Sequence, residues 1–271
     1  MALYASSNTT LSSKASFSTH LNYVKYLEST LLACTLSAVP TGMNQRKVAD
    51  MERFRKLSNL TLKSVKKDIE LAREDAAFAV IAAPWFPVKC YYTLYYLESI
   101  LCHLIDGSTG GFGKGGHGSI RKRIASLVSS GHLVFSSPEL NTIYGLAEIK
   151  KLPSLQPGLN TRSDFWKNAS CSHSLAKKLM EYKLADARLA NKWNLHTKKH
   201  RDAQNALIST DSLMLPDFFF WYRIKANYKD IDYIDFENGI SEAEVLEYLE
   251  AYHRAFSHYT TLLQEQIKIL R

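Results

Sequence analysis

The chain has 271 residues, 46% of them hydrophobic, with 34 Lys and Arg against 26 Asp and Glu and a formal net charge of +8. This apolar content excludes an intrinsically disordered chain and is enough for one large core or two small ones. No run of about twenty apolar residues occurs, which argues against a membrane-spanning helix, while the basic excess directs attention to anionic partners such as nucleic acid.

Residues 1–27 contain no Asp or Glu and are rich in Ser and Thr. Such composition suits a transit peptide, but the segment also lacks Arg, so a loosely packed helical extension over 1–45 is the preferred expectation. From 46 onward helical periodicity dominates. Between Asp50 and Ala83, Val65, Ile69, Ala72, Ala76, Ala79 and Ala83 recur at three- and four-residue steps with Lys63, Lys66, Glu70 and Arg73 among them, which predicts one amphipathic helix. Pro84 and Pro87 break and restart the chain. Val88 to Ile105 is apolar or aromatic nearly all round, with only Lys89 and Glu98 charged, and so predicts the central helix of a bundle.

A loop from Gly107 to Gly118 then holds seven of the twelve glycines. Ser119 is expected to cap a short basic helix, Ile120 to Ser130, stopped at Gly131. Residues 132–162, with Pro138, Pro153 and Pro157, read as irregular apart from a short helix near 139–150. Helical period returns over 172–207 through Leu175, Leu179, Tyr182, Ala185 and Leu189, opposite a face crowded with Lys and Arg. A further helix is expected from Pro216 through Asn227. The last is signalled best: Ser241 and Glu244 make a capping box, and Ile240 with Val245 a hydrophobic staple. That helix should reach about 268 with Leu249, Tyr252, Phe256, Leu263 and Ile267 buried.

Gly111-Phe-Gly-Lys-Gly-Gly116 has G-x-G-x-x-G spacing, but a helix rather than a strand precedes it and no βαβ unit surrounds it, so a plain loop is expected. His117 closes that loop just before Arg121, Lys122 and Arg123, close to a helix N-terminus that attracts phosphate; a histidine bonded to backbone is the alternative. Cys34, Cys90, Cys102 and Cys171 are scattered without the close pairs of a zinc or disulfide framework, which favours a reducing, cytoplasmic setting and offers no metal site. No cofactor signature is found.

The most informative stretch is Trp221-Tyr-Arg-Ile-Lys-Ala-Asn-Tyr228. Arg223 and Asn227 are four apart and share a helix face. A guanidinium there can grip a phosphate with two donors, and Tyr228 can stack on a base. The alternative is an Arg223 paired to Asp230 or Asp232.

Cys90-Tyr-Tyr-Thr-Leu-Tyr-Tyr in a central helix, a loop ending in His117, a short helix, and Tyr222-Arg-Ile-Lys-Ala-Asn-Tyr before a long last helix resemble the HEPN superfamily, in the branches that accompany minimal nucleotidyltransferases. The similarity covers roughly 60–130 and 215–268. It implies an all-α, HEPN-like bundle of four to five core helices within 46–271, with 132–205 as a basic helical insertion. It further implies a homodimer, or pairing with a nucleotidyltransferase acting as an antitoxin-like partner, and a metal-independent ribonuclease of toxin–antitoxin or phage-defence type. Arg223, Tyr228 and His117 would then be catalytic, with Asn227, Lys225, Arg121, Lys122, Lys198 and Lys199 contacting RNA.

The chain departs from the family pattern of an Arg followed by His after four to six residues, because Tyr228, Lys229 and Asp230 stand at those positions. Tyrosine is a poor general base at neutral pH. Two functions follow as expectations: an RNA binder or atypical ribonuclease, and a non-catalytic helical interaction module.

Overall fold

The computed structural model describes residues 13–41, 48–107, 112, 116–152, 169–228 and 240–271. In chain order they form α1 (Ser13–Leu32), β1 (Leu36–Ala38), α2 (Val48–Glu74), α3 (Ala76–Ala82), α4 (Phe86–Asp106), α5 (Gly116–Ser129), β2 (Leu133–Phe135), α6 (Pro138–Asn141), β3 (Tyr144–Gly145), α7 (Leu146–Lys151), α8 (Ala169–Ala190), α9 (Lys198–Thr210) and β4 (Ser212–Leu213). A 3₁₀ turn, Leu215–Asp217, then leads directly into α10 (Phe218–Tyr228), and α11 (Glu242–Ile269) completes the chain. The architecture is an all-α bundle. Its strands form two antiparallel pairs, β1 with β2 in the register Leu36 to Phe135 and β3 with β4 in the register Tyr144 to Leu213. No helix among the described residues is long and apolar enough to cross a membrane.

The axis of the bundle is α4, whose side chains are buried on all sides, with α2, α5, α10 and α11 packed around it. Pro87 lies in its first turn, where a missing N–H costs nothing, and Gly107, at φ 72°, ends it in the left-handed conformation that glycine alone adopts freely. The helix expected over Asp50–Ala83 is two helices. Asp75 sits between them with extended backbone, and its carboxylate accepts from the Ala77 N–H at 3.0 Å. Capping outweighed the continuous apolar period, as the short side chain of Asp favours.

Helix α1 departs from a second expectation. Instead of a loose extension, α1 lies along α11 and buries Phe17, Val24, Leu27 and Leu31 in the same core as α4. Those four recur at helical intervals that the Ser- and Thr-rich composition obscured. On its outer side α1 is pinned by Arg254 to Glu28 at 2.6 Å and by Lys25 to Glu247.

Within the segment expected as an insertion over 132–205, the described elements pack into the body. Strand β2 pairs with β1, and α8 sinks Leu175, Leu179 and Leu184 into the common core against α1 and α10. The single helical pattern of 172–207 divides into α8 and α9, with Lys192 at φ 52° in the turn between them. At the other end of the chain, α11 carries the expected box: Ser241 Oγ accepts from Glu244 N–H at 3.3 Å, and Glu244 Oε2 accepts from Ser241 N–H at 2.8 Å. Ile240 and Val245 are both buried beside it.

Candidate functional site

The site grows out of one face of α4. Tyr91 and Tyr92, with Tyr95 one turn further on, project towards α10 on one side and the start of α5 on the other. From α10, the Arg223 guanidinium carbon lies 4.8 Å from the Tyr91 ring centroid, 5.9 Å from that of Tyr92 and 5.3 Å from that of its own neighbour Phe220. From α5, the His117 ring lies 4.4 Å from Tyr95, 5.3 Å from Tyr91 and 5.5 Å from Tyr92. Guanidinium and imidazole therefore share two tyrosines, although 106 positions separate them in the chain (223 less 117).

The placement of α10 depends on α1. His20 Nδ1 is hydrogen-bonded to Tyr222 Oη at 2.7 Å, and Phe218 stacks on the Tyr222 ring at 3.8 Å. These contacts lock Tyr222 inward and turn the adjacent Arg223 onto the face of α4.

Arg223 is only 9% exposed, yet no carboxylate among the described residues lies within ion-pair distance, and its Nε is buried without a hydrogen-bond partner. Tyr91 Oη and His117 Nδ1 are buried without hydrogen-bond partners among the described residues as well. A buried cation lacking a counter-ion costs several kcal/mol, and a ring face returns only about 0.5–2 kcal/mol. An anion seated here would remove the imbalance.

Electrostatics fix the protonation of the neighbours. Burial, and after it the Arg223 charge, push the His117 pKa down to about 4, so the imidazole is neutral at pH 7. Burial, and after it the Glu98 carboxylate, push the Tyr91 phenol well above its ordinary range, so it remains a donor. The set is thus a fixed cation, a neutral imidazole with an available nitrogen, and a protonated phenol.

Directly behind lies a second charged group with a different character. Glu98, fully buried on α4, accepts from Arg121 Nη1 at 2.6 Å and from Tyr259 Oη at 2.9 Å. Arg121 Nε donates to Asp217 Oδ1 at 2.6 Å, and Asp217 Oδ2 accepts from the Met214 N–H at 2.9 Å. The network ties α4, α5 and α11 to the 3₁₀ turn that leads into α10. It corrects the expectation for Arg121, which is 9% exposed and committed to two carboxylates rather than presented to RNA. Its sequence signal was Glu98, the lone carboxylate between Val88 and Ile105, which burial obliges to find a cation.

Lys122, Lys198 and Lys199 are exposed, on α5 and at the start of α9. Lys225, Asn227 and Tyr228 fall in the last turn of α10, but their side chains lie outside the described residues, as do Asp230 and Asp232. Most of the glycine loop also lies outside them. Its Phe112 packs edge-on against Phe54 at 4.9 Å and His103 at 5.2 Å. All four cysteines are buried free thiols, and among the described residues no three His, Cys, Asp or Glu gather as a metal site. No family model, no curated protein and no solved structure matches this chain.

Proposed function

We propose that this chain is an HEPN-like, RNA-directed protein in which Arg223 and His117 take a backbone phosphate, with metal-independent cleavage beside a 2′-hydroxyl as the chemistry the site is equipped for. The observation that carries it is the buried Arg223 guanidinium, ringed by Tyr91, Tyr92 and Phe220, with no carboxylate partner among the described residues. Carboxylate-paired arginines serve structure, as Arg121 does. An unpaired one beside a neutral imidazole suits an incoming phosphate.

Support also comes from where His117 stands. The family pattern asks for a His shortly after the Arg, and Tyr228, Lys229 and Asp230 do not supply it. His117 supplies an imidazole in space instead, against the same tyrosines. A phosphate bound between the two would offset the Arg223 charge and favour the imidazolium, raising the His117 pKa from about 4 towards the range useful for proton transfer.

The test is binding and cleavage of single-stranded RNA in the presence of EDTA by the parent, Arg223→Ala and His117→Ala. Binding that weakens steeply with salt and drops with Arg223→Ala is expected, with cleavage lost in both variants. Equal binding by parent and Arg223→Ala would refute the phosphate role.

A non-catalytic interaction module is the second reading, and one feature favours it: Ile81 and Trp85, at the junction of α3 and α4, are 68% and 61% exposed. Large apolar side chains in this position suit a second copy or a protein partner such as a nucleotidyltransferase. Light scattering of the parent and of Trp85→Ser measures it, with a shift from dimer to monomer as the supporting outcome.

A further inference from the structure

A groove of about 700 Å³ runs along α5 and faces α10, lined elsewhere by the end of α9, β4 and Lys183 of α8. Helix α5 lines it with Gly118, Lys122 and Ser126, and α10 opposes these with Phe220 and Trp221. Two features join one end of the groove to the phosphate site. Gly118 follows His117 directly in the chain, and Phe220 is the residue whose ring also meets the Arg223 guanidinium.

The groove's charges are mostly spent internally. Arg121 is paired with Asp217, and Lys183 with Asp211 at 2.7 Å. That leaves Lys122, exposed at the rim and without an ion pair among the described residues. Floor and walls are accordingly close to neutral, aromatic on the α10 side and hydroxyl-bearing on the other through Ser126 and Ser212. A volume of this size is typical of small-ligand pockets. An aromatic wall opposite hydroxyls, with one cation at the edge, matches a base and ribose followed by a further phosphate.

We propose that this groove receives the nucleoside adjoining the phosphate held at Arg223, so that the preferred ligand is a single RNA strand with an unpaired base at that position. The assignment rests on the phosphate-site proposal above and adds the strand's path: from Arg223 and His117, past Phe220, along α5 to Lys122. A duplex keeps its bases stacked inside the helix and cannot place one between α5 and Phe220.

The experiment is fluorescence anisotropy with a short labelled RNA strand, alone and annealed to its complement, on the full chain and on Arg223→Ala, Lys122→Ala and Ser126→Trp. Ser126 is exposed on α5, so an indole there fills the groove without entering the buried ion network. Ser126→Trp should weaken single-strand binding by about tenfold or more, the scale of one lost base–aromatic stack, and the parent should prefer the single strand to the duplex. Photo-crosslinking of a thiouridine-substituted strand to the unmodified chain is the measurement that needs no folded variant, with adducts expected on Phe220 or Trp221. If binding falls with Arg223→Ala but is untouched by Ser126→Trp, or if crosslinks avoid α10 and α5, the groove assignment fails while the phosphate site stands. If the parent binds neither strand nor duplex, both fail together.

Discussion

Arg121 and Arg223 are equally buried, and what separates them is their partners. Arg121 neutralises Glu98 and Asp217, so Arg121→Met leaves two carboxylates buried without a cation; urea denaturation should show a loss of about 3–5 kcal/mol. Among the described residues Arg223 has only ring faces to lose, worth roughly 0.5–2 kcal/mol. Its removal also relieves a buried unpaired charge, so Arg223→Ala should leave stability unchanged or raised by the same measurement. The opposite order would mark Arg223 as the structural residue. His117 gives a pH signature at the same scale. Burial and then Arg223 hold its pKa at about 4, below the 6.5 of an unperturbed histidine, so the unfolded chain takes up this proton first as pH falls. The stability contribution is whole above pH 6.5 and is lost as pH drops towards 4. Denaturation melts across that window should therefore show a shallower decline for His117→Phe than for the parent. Removing the second cause with Arg223→Ala should raise the His117 value in an NMR titration while leaving it below 6.5.

Among the elements, α11 illustrates how far local chemistry reaches. Its capping box satisfies two orphan N–H groups, and Ser241→Ala should cost about 1 kcal/mol, read as a lowered thermal midpoint. This helix was legible because cap, staple and apolar stripe all lie within one segment. The boundary at Asp75 was less so: Ala72, Ala76 and Ala79 keep the helical period straight through it, and only the side chain's choice to cap α3 ends α2 there. In α8 and α9 the loss of period at Lys192 and Asn194 was similarly masked by the basic residues on both sides. The site tyrosines sit on α4 at a spacing that the sequence displays openly, but the face they turn to α10 is set by packing.

For the whole molecule, α1 is the decisive element, since it both fills the core beside α11 and holds Tyr222 through His20. Deleting residues 1–32 should abolish cooperative unfolding and near-UV ellipticity, whereas an appended extension would be dispensable. Surface charge acts at the same scale. If α9 contacts RNA, Lys198→Ala with Lys199→Ala should flatten the dependence of log affinity on log salt by on the order of 0.7 per phosphate contact removed, measured by anisotropy over a salt series. An unchanged slope would place the RNA path elsewhere on the surface.

The sequence alone determined that the chain is helical, that the tyrosine-rich helix is central, and where the last helix begins, because periodicity and capping are written in neighbouring residues. It also singled out Arg223 and His117, one from a helix-end motif and one from a loop end. Only the tertiary structure decided that these two share Tyr91 and Tyr92, that Arg121 belongs to a buried ion network, and that α1 is part of the core. Each of those outcomes depends on which distant segments share the limited space around α4, and burial, not local spacing, sets the energy of a charge or a ring placed there.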